Sequence, residues 1–465
     1  MKSSLVASVA LAVLFSFQTL ATASAQGSSG APNDVNQRVA PGFGNGYDDP
    51  GTILQRIHIR ATPQKGLIPY SPIQPVRDEL TALKDGLYNA THLKLGLSFH
   101  HLFQGASDVV SGAKDNGSAT DMDFVGTWAL FNRGKPTQGE LGFGLEGRWE
   151  YGYGIGPQNL GFVSLASAGG TANTFSAYNP NFILRNLYYR QGSPEAGWVF
   201  RVGKITTDAL LLTNRNITPN TTYLPNAGTG VFGAGFADSG AGIAGAKYFG
   251  DRLYVGGAIA DANGDRFDWA DDLDEGDFYK GLEVGLKIFP RTDQASYSKF
   301  LLWHTDGTFN GKPINAQTGA SGWGFAFVLE QELTADGRLV LIERYARSYD
   351  KAAIYDQQLG VHLLLYEPTG RFDNDVIGAA FNWVDSAFES DPGIPSRDET
   401  NLEVFYRFPL LPDVDTTLSY QALFDPAFAN TPTKSLDFSS VFSLRAISVL
   451  LNRNALALIM RPPSI

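Results

Sequence analysis

The 465-residue sequence contains no cysteine, three methionines and six histidines. Without cysteine it has no disulfide framework, no thiolate metal site and no thiol nucleophile. Acidic residues outnumber basic ones by 47 to 36, which argues against a nucleic-acid partner, because nucleic acids bind basic surfaces. After residue 25 no segment reaches the ~18 consecutive apolar residues of a membrane-spanning helix.

Glycine and aromatic residues are abundant instead, with 51 Gly, 31 Phe, 19 Tyr and 7 Trp. Many glycines and aromatic side chains favour short strands joined by turns over helices. The hydrophobic fraction of 43% is high enough for a folded core, so the chain is not expected to be disordered.

The first 90 residues differ in composition from the rest. Residues 1–25 have the pattern of a secretory signal peptide, with Lys2, an apolar stretch from Leu5 to Phe15, and small residues before Gln26. Residues 26–90 are rich in Pro, Gly and Asn, and we interpret them as a periplasmic N-terminal segment with one short helix over Val76–Leu87. We expect the chain to be exported.

From residue 91 to 448 the apolar residues follow a period of two. In the stretch 140–151, Leu141, Phe143 and Leu145 alternate with acidic, basic and glycine residues. Because successive side chains of a strand point to opposite faces, each such segment has one apolar and one polar face. Sixteen segments fit this pattern: 92–104, 121–132, 138–151, 181–191, 197–205, 240–248, 252–260, 279–289, 298–306, 322–333, 337–347, 358–366, 374–384, 400–408, 415–424 and 438–448.

The lengths of the connections between these segments alternate. Short connections such as "GD" after residue 249 are followed by long ones such as 206–239. This alternation is typical of outer-membrane barrels, whereas a soluble sandwich has no reason to sort its loops by parity. We therefore predict an all-β fold, a 16-stranded antiparallel transmembrane β-barrel over 91–448 with short periplasmic turns and long outer loops. The predicted location is the outer membrane of a Gram-negative bacterium, with residues 449–465 as a C-terminal tail.

If the apolar faces contact lipid, the polar faces line the lumen, and a barrel of this size leaves an aqueous channel. The polar faces carry charges of both signs, and the pore-lining candidates are Glu146, Arg148, Glu150, Arg201, Glu330, Glu332, Glu403 and Arg407. Pairing of these acids and bases across strands, which would only brace the wall, is the alternative role. The sparsely charged segment 206–239 is our candidate for an inward-folded constriction loop.

Three weaker motifs point to no catalytic residue and no cofactor. The G-x-G-x-x-G at 142–147 lies inside a predicted strand with no helix after it, so it does not indicate nucleotide binding. Asp261 and Asp265 in the acidic loop 261–277 match only the start of a calcium-binding loop, which makes them a partial metal candidate. His304 and Asp306 lack a serine nucleophile that would complete a catalytic set.

An ordered set of short segments resembles the carbohydrate-selective porin (OprB) family. The segments are "FILRNLYYRQ" and "FRVGKI" (182–205), "IADANGD" (259–265), "FYKGLEVG" (278–285), "LLWHTDG" (301–307), "GWGFAF" (322–327), "LEVFYRF" (402–408), "LSYQALFDPA" (418–427) and "VFSLRA" (441–446). The resemblance implies a sixteen-stranded channel that passes monosaccharides and similar small solutes by diffusion, without a cofactor. It further implies a constriction of Arg and Glu, for which Glu146, Arg148 and Arg201 are the candidates here. Family barrels usually end on an aromatic residue, whereas this chain ends in "RPPSI".

The expected function is passive diffusion of carbohydrates through an outer-membrane porin, with small sugars as permeants and outer-membrane lipid as surroundings. A general diffusion porin without sugar selectivity is the alternative, and an outer-membrane enzyme or a soluble glycan-binding β-protein are rivals from other classes. The sequence leaves the oligomeric state open, with a homo-oligomer as one possibility.

Overall fold

A computed structural model describes residues 43, 65–218, 220–264, 267, 269, 273, 276–287, 296–306, 321–334, 336–372 and 375–450. Sixteen strands form one closed barrel in which each strand pairs antiparallel with the next and the last pairs with the first. The barrel strands are β1 (Leu93–Ala106), β2 (Asn116–Phe131), β3 (Gly139–Glu150), β4 (Phe182–Ser193), β5 (Trp198–Ile205), β6 (Gly240–Phe249), β7 (Leu253–Asp261), β8 (Phe278–Lys287), β9 (Ser296–Thr305), β10 (Gly322–Glu332), β11 (Leu339–Ser348), β12 (Tyr355–Tyr366), β13 (Val376–Ser386), β16 (Glu399–Leu411), β17 (Val414–Phe424) and β20 (Phe438–Val449). Two small hairpins, β14 (Glu389–Asp391) with β15 (Ile394–Pro395) and β18 (Asn430–Thr431) with β19 (Lys434–Ser435), lie in the connections.

The closed barrel of sixteen antiparallel strands confirms the predicted fold class. Each predicted segment corresponds in order to one barrel strand. The largest difference is at β2, which begins at Asn116 rather than at 121. Its first residues, 116–120, are small or polar and carry no apolar alternation, yet they pair with β1, where Asn116 lies opposite Gly105.

The alternation of side chains divides the barrel into an apolar outer surface and a polar inner surface. On β8, for example, Leu282, Val284 and Leu286 are exposed on the outside, whereas Tyr279 and Glu283 are buried inside. Exposed aromatic side chains lie toward the strand ends of the outer surface, among them Trp128, Phe131, Phe182, Phe249, Trp323, Phe424 and Phe438. Glycines such as Gly378 leave space on the inner surface for large neighbours like Phe405.

The long connections leave one end of the barrel, which also carries the six-residue connection 349–354 between β11 and β12, and the remaining short connections leave the other end. The chain enters the barrel at the end with the short turns, through helix α1 (Gln74–Thr91), which ends where His92 adopts a left-handed conformation. The segment before α1 is docked on the β16–β17 turn: Leu67 and Ile68 donate backbone hydrogen bonds to the carbonyls of Pro409 and Leu410, both 2.9 Å. The sequence predicted this helix over Val76–Leu87, a shorter span than the structure gives.

In the part of the chain that the structure describes, the other helical elements are single turns in the connections. They are α2 (Pro157–Asn159), α3 (Asn226–Thr229), a π-helical turn (Leu160–Ser164) and 3₁₀ turns at Pro194–Ala196, Thr207–Ala209 and Phe232–Ala234. Within the ranges given above, no helix is both long and apolar enough to cross a membrane. The predicted signal peptide and the tail beyond residue 450 lie outside the described residues.

A candidate pore lined by two inward segments

The segment between β5 and β6, residues 206–239, runs through the interior of the barrel. Its backbone amides donate to carboxylates on strands far from β5 and β6: Leu212 to Glu283 on β8, Arg215 to Glu330 on β10 (3.0 Å), and Leu224 to Glu403 on β16 (3.1 Å). A segment that contacts these strands from β5 must cross the lumen. The amides need acceptors because unpaired backbone groups in a buried position are costly.

Basic and amide side chains of the inner wall bind the carbonyl groups of the same segment. Arg407 and Arg445 donate to the carbonyls of Thr221 (2.8 Å) and Thr222 (2.7 Å). Arg344 donates to the carbonyl of Gly228. The wall of β11 to β20 therefore supplies both acceptors and donors to a loop that has little regular structure of its own.

The connection between β3 and β4, residues 151–181, forms a second inward segment. Glu399 at the start of β16 accepts four hydrogen bonds, from the Ser167 hydroxyl and from the backbone amides of Ala168, Gly169 and Ala427, at distances of 2.6–2.9 Å. The two inward segments also contact each other, since the amides of Ala227 and Asn173 donate to the carbonyls of Gly169 and Leu224, 3.0 and 2.9 Å.

The predicted residues Glu146 and Arg148 are neighbours on the inner face of β3. The Arg148 Nε donates to the Glu146 carboxylate over 2.9 Å, and its guanidinium lies 4.5 Å from the ring centroid of Tyr178. Arg201 on β5 faces inward too, with its guanidinium 4.0 Å from the ring centroid of Tyr188. These pairs place cationic, anionic and aromatic groups side by side.

The other predicted residues lie on strands β3, β10 and β16. Glu150 is half-buried near the end of β3, 3.4 Å from the Asn159 amide. Glu330, Glu332, Glu403 and Arg407 all face inward, but segment 206–239 covers them. Their contacts fasten that segment to the wall, and none of them extends into open solvent.

Arg215 and Tyr223 are the ionisable anchors of segment 206–239. Burial alone would lower the pKa of Arg215, but the carboxylates of Glu330 and Glu332 raise it, so the guanidinium stays charged. Burial raises the pKa of Tyr223 well above its usual value, and the negative charge of Glu403 raises it further. The Tyr223 hydroxyl therefore remains a donor to the carbonyls of Leu363 (2.7 Å) and Ala379 (3.1 Å).

Arg185 is an interior residue that the sequence reasoning missed. Strict alternation from Asn186, which faces inward, places Arg185 on the outer surface. A β-bulge between Gly144 and Leu145 skips Arg185 in the pairing of β3 with β4, and its guanidinium lies 3.4 Å from Glu146. Bulges re-aim side chains in this way. The sequence does carry one signal for Arg185, because a charged residue is unfavourable at a position that alternation assigns to the lipid-facing surface.

Asp121 and Asp123 on β2 were also missed. They alternate with Met122 and Phe124, so the period of two contained the signal, but the strand is otherwise weakly patterned. In the barrel both acids face inward, where Asp121 pairs in register with Arg148 and Asp123 with Glu146.

The partial calcium motif lies at the end of β7, and the histidine–aspartate pair lies at the end of β9. Asp261 is buried at the end of β7 and accepts from the Asn263 amide at 2.9 Å, whereas Asp265 lies outside the described residues. His304 Nδ1 is 3.5 Å from Asp306, whose carboxylate also accepts from Lys280 at 2.6 Å. Burial alone would raise the pKa of Asp306, but hydrogen bonds from Lys280 and Phe278 lower it.

No protein-family model and no curated protein matches the chain. Among solved structures, the high-pH structure of OprB from Pseudomonas putida is similar, with a TM-score of 0.61 and 13% sequence identity over 79% of this chain and 96% of that chain. A mutant of the Rh. blastica porin aligns over 77% of this chain and 99% of that chain, with a TM-score of 0.43 and 11% identity. The first match shows that this chain has the fold of a sixteen-stranded porin.

Proposed function

We propose that the protein is an outer-membrane porin through which small carbohydrates diffuse passively. The observation that carries the proposal is the inner wall of β3 to β5, where Arg148, Arg185, Arg190 and Arg201 lie among carboxylates and tyrosines. The similarity of the fold to that of OprB from Pseudomonas putida supports the same proposal.

The outer surface supports a membrane location. Apolar side chains such as Val202, Ile243, Leu282 and Leu302 are about half exposed on successive strands, and such a surface would be unstable in water. Aromatic residues toward the strand ends match the girdles that membrane barrels place at the two interfaces. We infer that outer-membrane lipid surrounds the barrel and that the short turns face the periplasm.

Passage of neutral polyhydroxy solutes accords with the mixture of charges inside. Acids and bases are interleaved on this wall: Arg190 lies 3.3 Å from Glu140, and Arg148 and Arg185 both lie against Glu146. Guanidinium groups donate and carboxylates accept hydrogen bonds, which suits hydroxyl groups that do both.

The proposal is tested by swelling of liposomes that contain the refolded protein. We expect pentoses and hexoses to enter faster than disaccharides, and faster than uncharged non-sugar solutes of equal size. Arg201→Gln should slow monosaccharide entry several-fold, because it removes a donor beside Tyr188. Arg133→Gln, in the exposed turn after β2, is the matched control and should leave the rate unchanged.

Entry rates that follow solute size alone would reduce the function to general diffusion. Liposomes that do not swell with any solute, although the protein is folded and inserted, would contradict a porin function altogether. The two outcomes separate the sugar preference from the channel itself.

A further inference from the structure

Three carboxylates converge on the inner wall where β2 and β3 pair. Asp121, Asp123 and Glu146 each place one oxygen within 4.8 Å of the other two, and all three side chains are buried. The pairing register of β2 with β3 brings these side chains together, because Asp123 lies opposite Glu146 and Asp121 lies opposite Arg148 on the same face. Buried acids at this separation repel one another unless a positive charge lies among them.

The two nearby arginines act mainly on one of the three acids. Glu146 accepts from Arg148 and from the Tyr178 hydroxyl (2.9 Å), and Arg185 lies 3.4 Å away. Asp123 accepts from Asn220 at 3.2 Å and lies 3.4 Å from His100 Nε2. The three carboxylates therefore have two guanidinium groups near them, and both of those groups donate their hydrogen bonds to Glu146.

Asp121 has weaker partners. Its side chain is fully buried, and its polar neighbours are the Thr174 hydroxyl and Arg148, neither of which makes a well-formed hydrogen bond to its carboxylate oxygens. The nearest cationic atom is Arg148 Nε, 3.7 Å away, beyond hydrogen-bonding distance. A fully buried carboxylate without a well-formed hydrogen bond is costly, and its oxygens point into the cluster.

We propose that Asp121, Asp123 and Glu146 bind a divalent cation, with Ca²⁺ as the preferred ion. All three ligands are carboxylate oxygens, which hard cations of this class select, and Ca²⁺ tolerates irregular geometry better than Mg²⁺. A cation would supply Asp121 with a stronger partner and offset the excess negative charge. This site is distinct from the partial motif at Asp261.

The cluster lies where both inward segments meet the wall. Tyr178, which binds Glu146, belongs to residues 151–181, and Asn220, which binds Asp123, belongs to residues 206–239. Thr174 of the first segment donates to Asn220 of the second at 3.1 Å. A cation here stabilises the junction of the two segments with β2 and β3, and thereby the shape of the lumen.

The test is calorimetric titration of Ca²⁺ into the refolded full chain in detergent, with folding verified by heat-modifiable migration on gels. Wild type should bind one Ca²⁺ per chain more than Asp121→Asn, or bind it at least about tenfold more tightly, as loss of a ligand predicts. Glu140→Gln is the matched control, because it removes a carboxylate from the same face of β3 outside the cluster. Its titration should equal that of wild type.

If Asp121→Asn fails to fold, Asp123→Asn takes its place, since that side chain is less buried and already has an amide donor. Titrations of both variants that equal that of wild type would overturn the proposal. So would a folded wild-type protein that binds no Ca²⁺ at millimolar concentration, which would mean that a proton neutralises Asp121.

Discussion

Single inward carboxylates hold the interior of this barrel together. Glu283, Glu330, Glu399 and Glu403 each accept hydrogen bonds from backbone amides of a connection, not from a facing arginine on the next strand. A carboxylate accepts several hydrogen bonds, so one side chain can satisfy several amides of an irregular loop. Glu330 and Glu403, which the sequence suggested as pore-lining residues, therefore have a structural role as well.

Glu399 gives the sharpest test of this role. Its Oε1 accepts from Ser167 and Gly169, and its Oε2 accepts from Ala168 and Ala427. In Glu399→Gln, whichever oxygen becomes an NH₂ group leaves two donors without an acceptor. We expect the free energy of unfolding to fall by about 1–3 kcal/mol, measured by denaturant unfolding of the refolded protein in detergent.

The control for this variant is Glu389→Gln. Glu389 accepts one backbone hydrogen bond, from Gly393 at 2.9 Å, in an exposed turn. Its replacement should change the unfolding free energy by less than about 0.5 kcal/mol, as is usual for surface sites. Equal stability of Glu399→Gln and wild type would show that Glu399 does not hold the second inward segment.

At the scale of elements, the strands were predictable and the interior was not. The period of two located every barrel strand, because the outer face of each strand is apolar over most of its length. Arg185 departs from the alternation because of a bulge that depends on the pairing of β3 with β4, and the sequence signals it only by a charge at a lipid-facing position. The carboxylates that bind backbone amides of 206–239 were equally hidden, because they lie on strands more than seventy residues away.

The low charge and great length of segment 206–239 did indicate that it folds inward. They could not indicate that residues 151–181 join it, because that connection reads as one more outer loop. Its burial depends on Glu399 and on contacts with the first segment, which are distant in sequence. The alternation of apolar residues therefore predicts the strands of the barrel wall, whereas the arrangement of the inward segments depends on contacts between residues distant in sequence.

Contact between the two inward segments is testable with a disulfide, because the chain has no cysteine of its own. A Cβ built on Gly169 lies 3.4 Å from the Cβ of Ala227, close to the separation in disulfides, and 2.7 Å from Glu399 Oε1, so the Glu399 side chain must shift to admit it. The double variant Gly169→Cys with Ala227→Cys should form an intramolecular disulfide in most molecules under mild oxidation, read by a mobility shift that reductant reverses.

Each single cysteine variant is the control and should show no such shift. The disulfide should leave conductance near the wild-type value, since it joins residues already in contact. Free thiols that persist in the oxidised double variant, measured by labelling of the folded protein, would contradict the packing of the two segments.

In the molecule as a whole, the barrel wall has an apolar outer surface, and two connections between its strands fold into its interior. Sixteen strands enclose more space than side chains alone can fill. Segments 151–181 and 206–239 occupy part of that space, and Tyr178 of the first segment contacts the charged wall at Glu146 and Arg148. We therefore expect these two segments, together with that wall, to set the width and the chemistry of the passage.

Single-channel conductance of the refolded chain in a planar bilayer, with monosaccharides titrated in at fixed salt, tests whether sugars bind in and pass through the barrel. We predict steady open channels whose current falls saturably as the sugar is added, with millimolar affinity, because a permeant must bind weakly enough to leave. Channels that conduct ions but do not respond to any sugar would contradict sugar permeation through a binding site. An inserted, heat-modifiable protein that never conducts would contradict the channel.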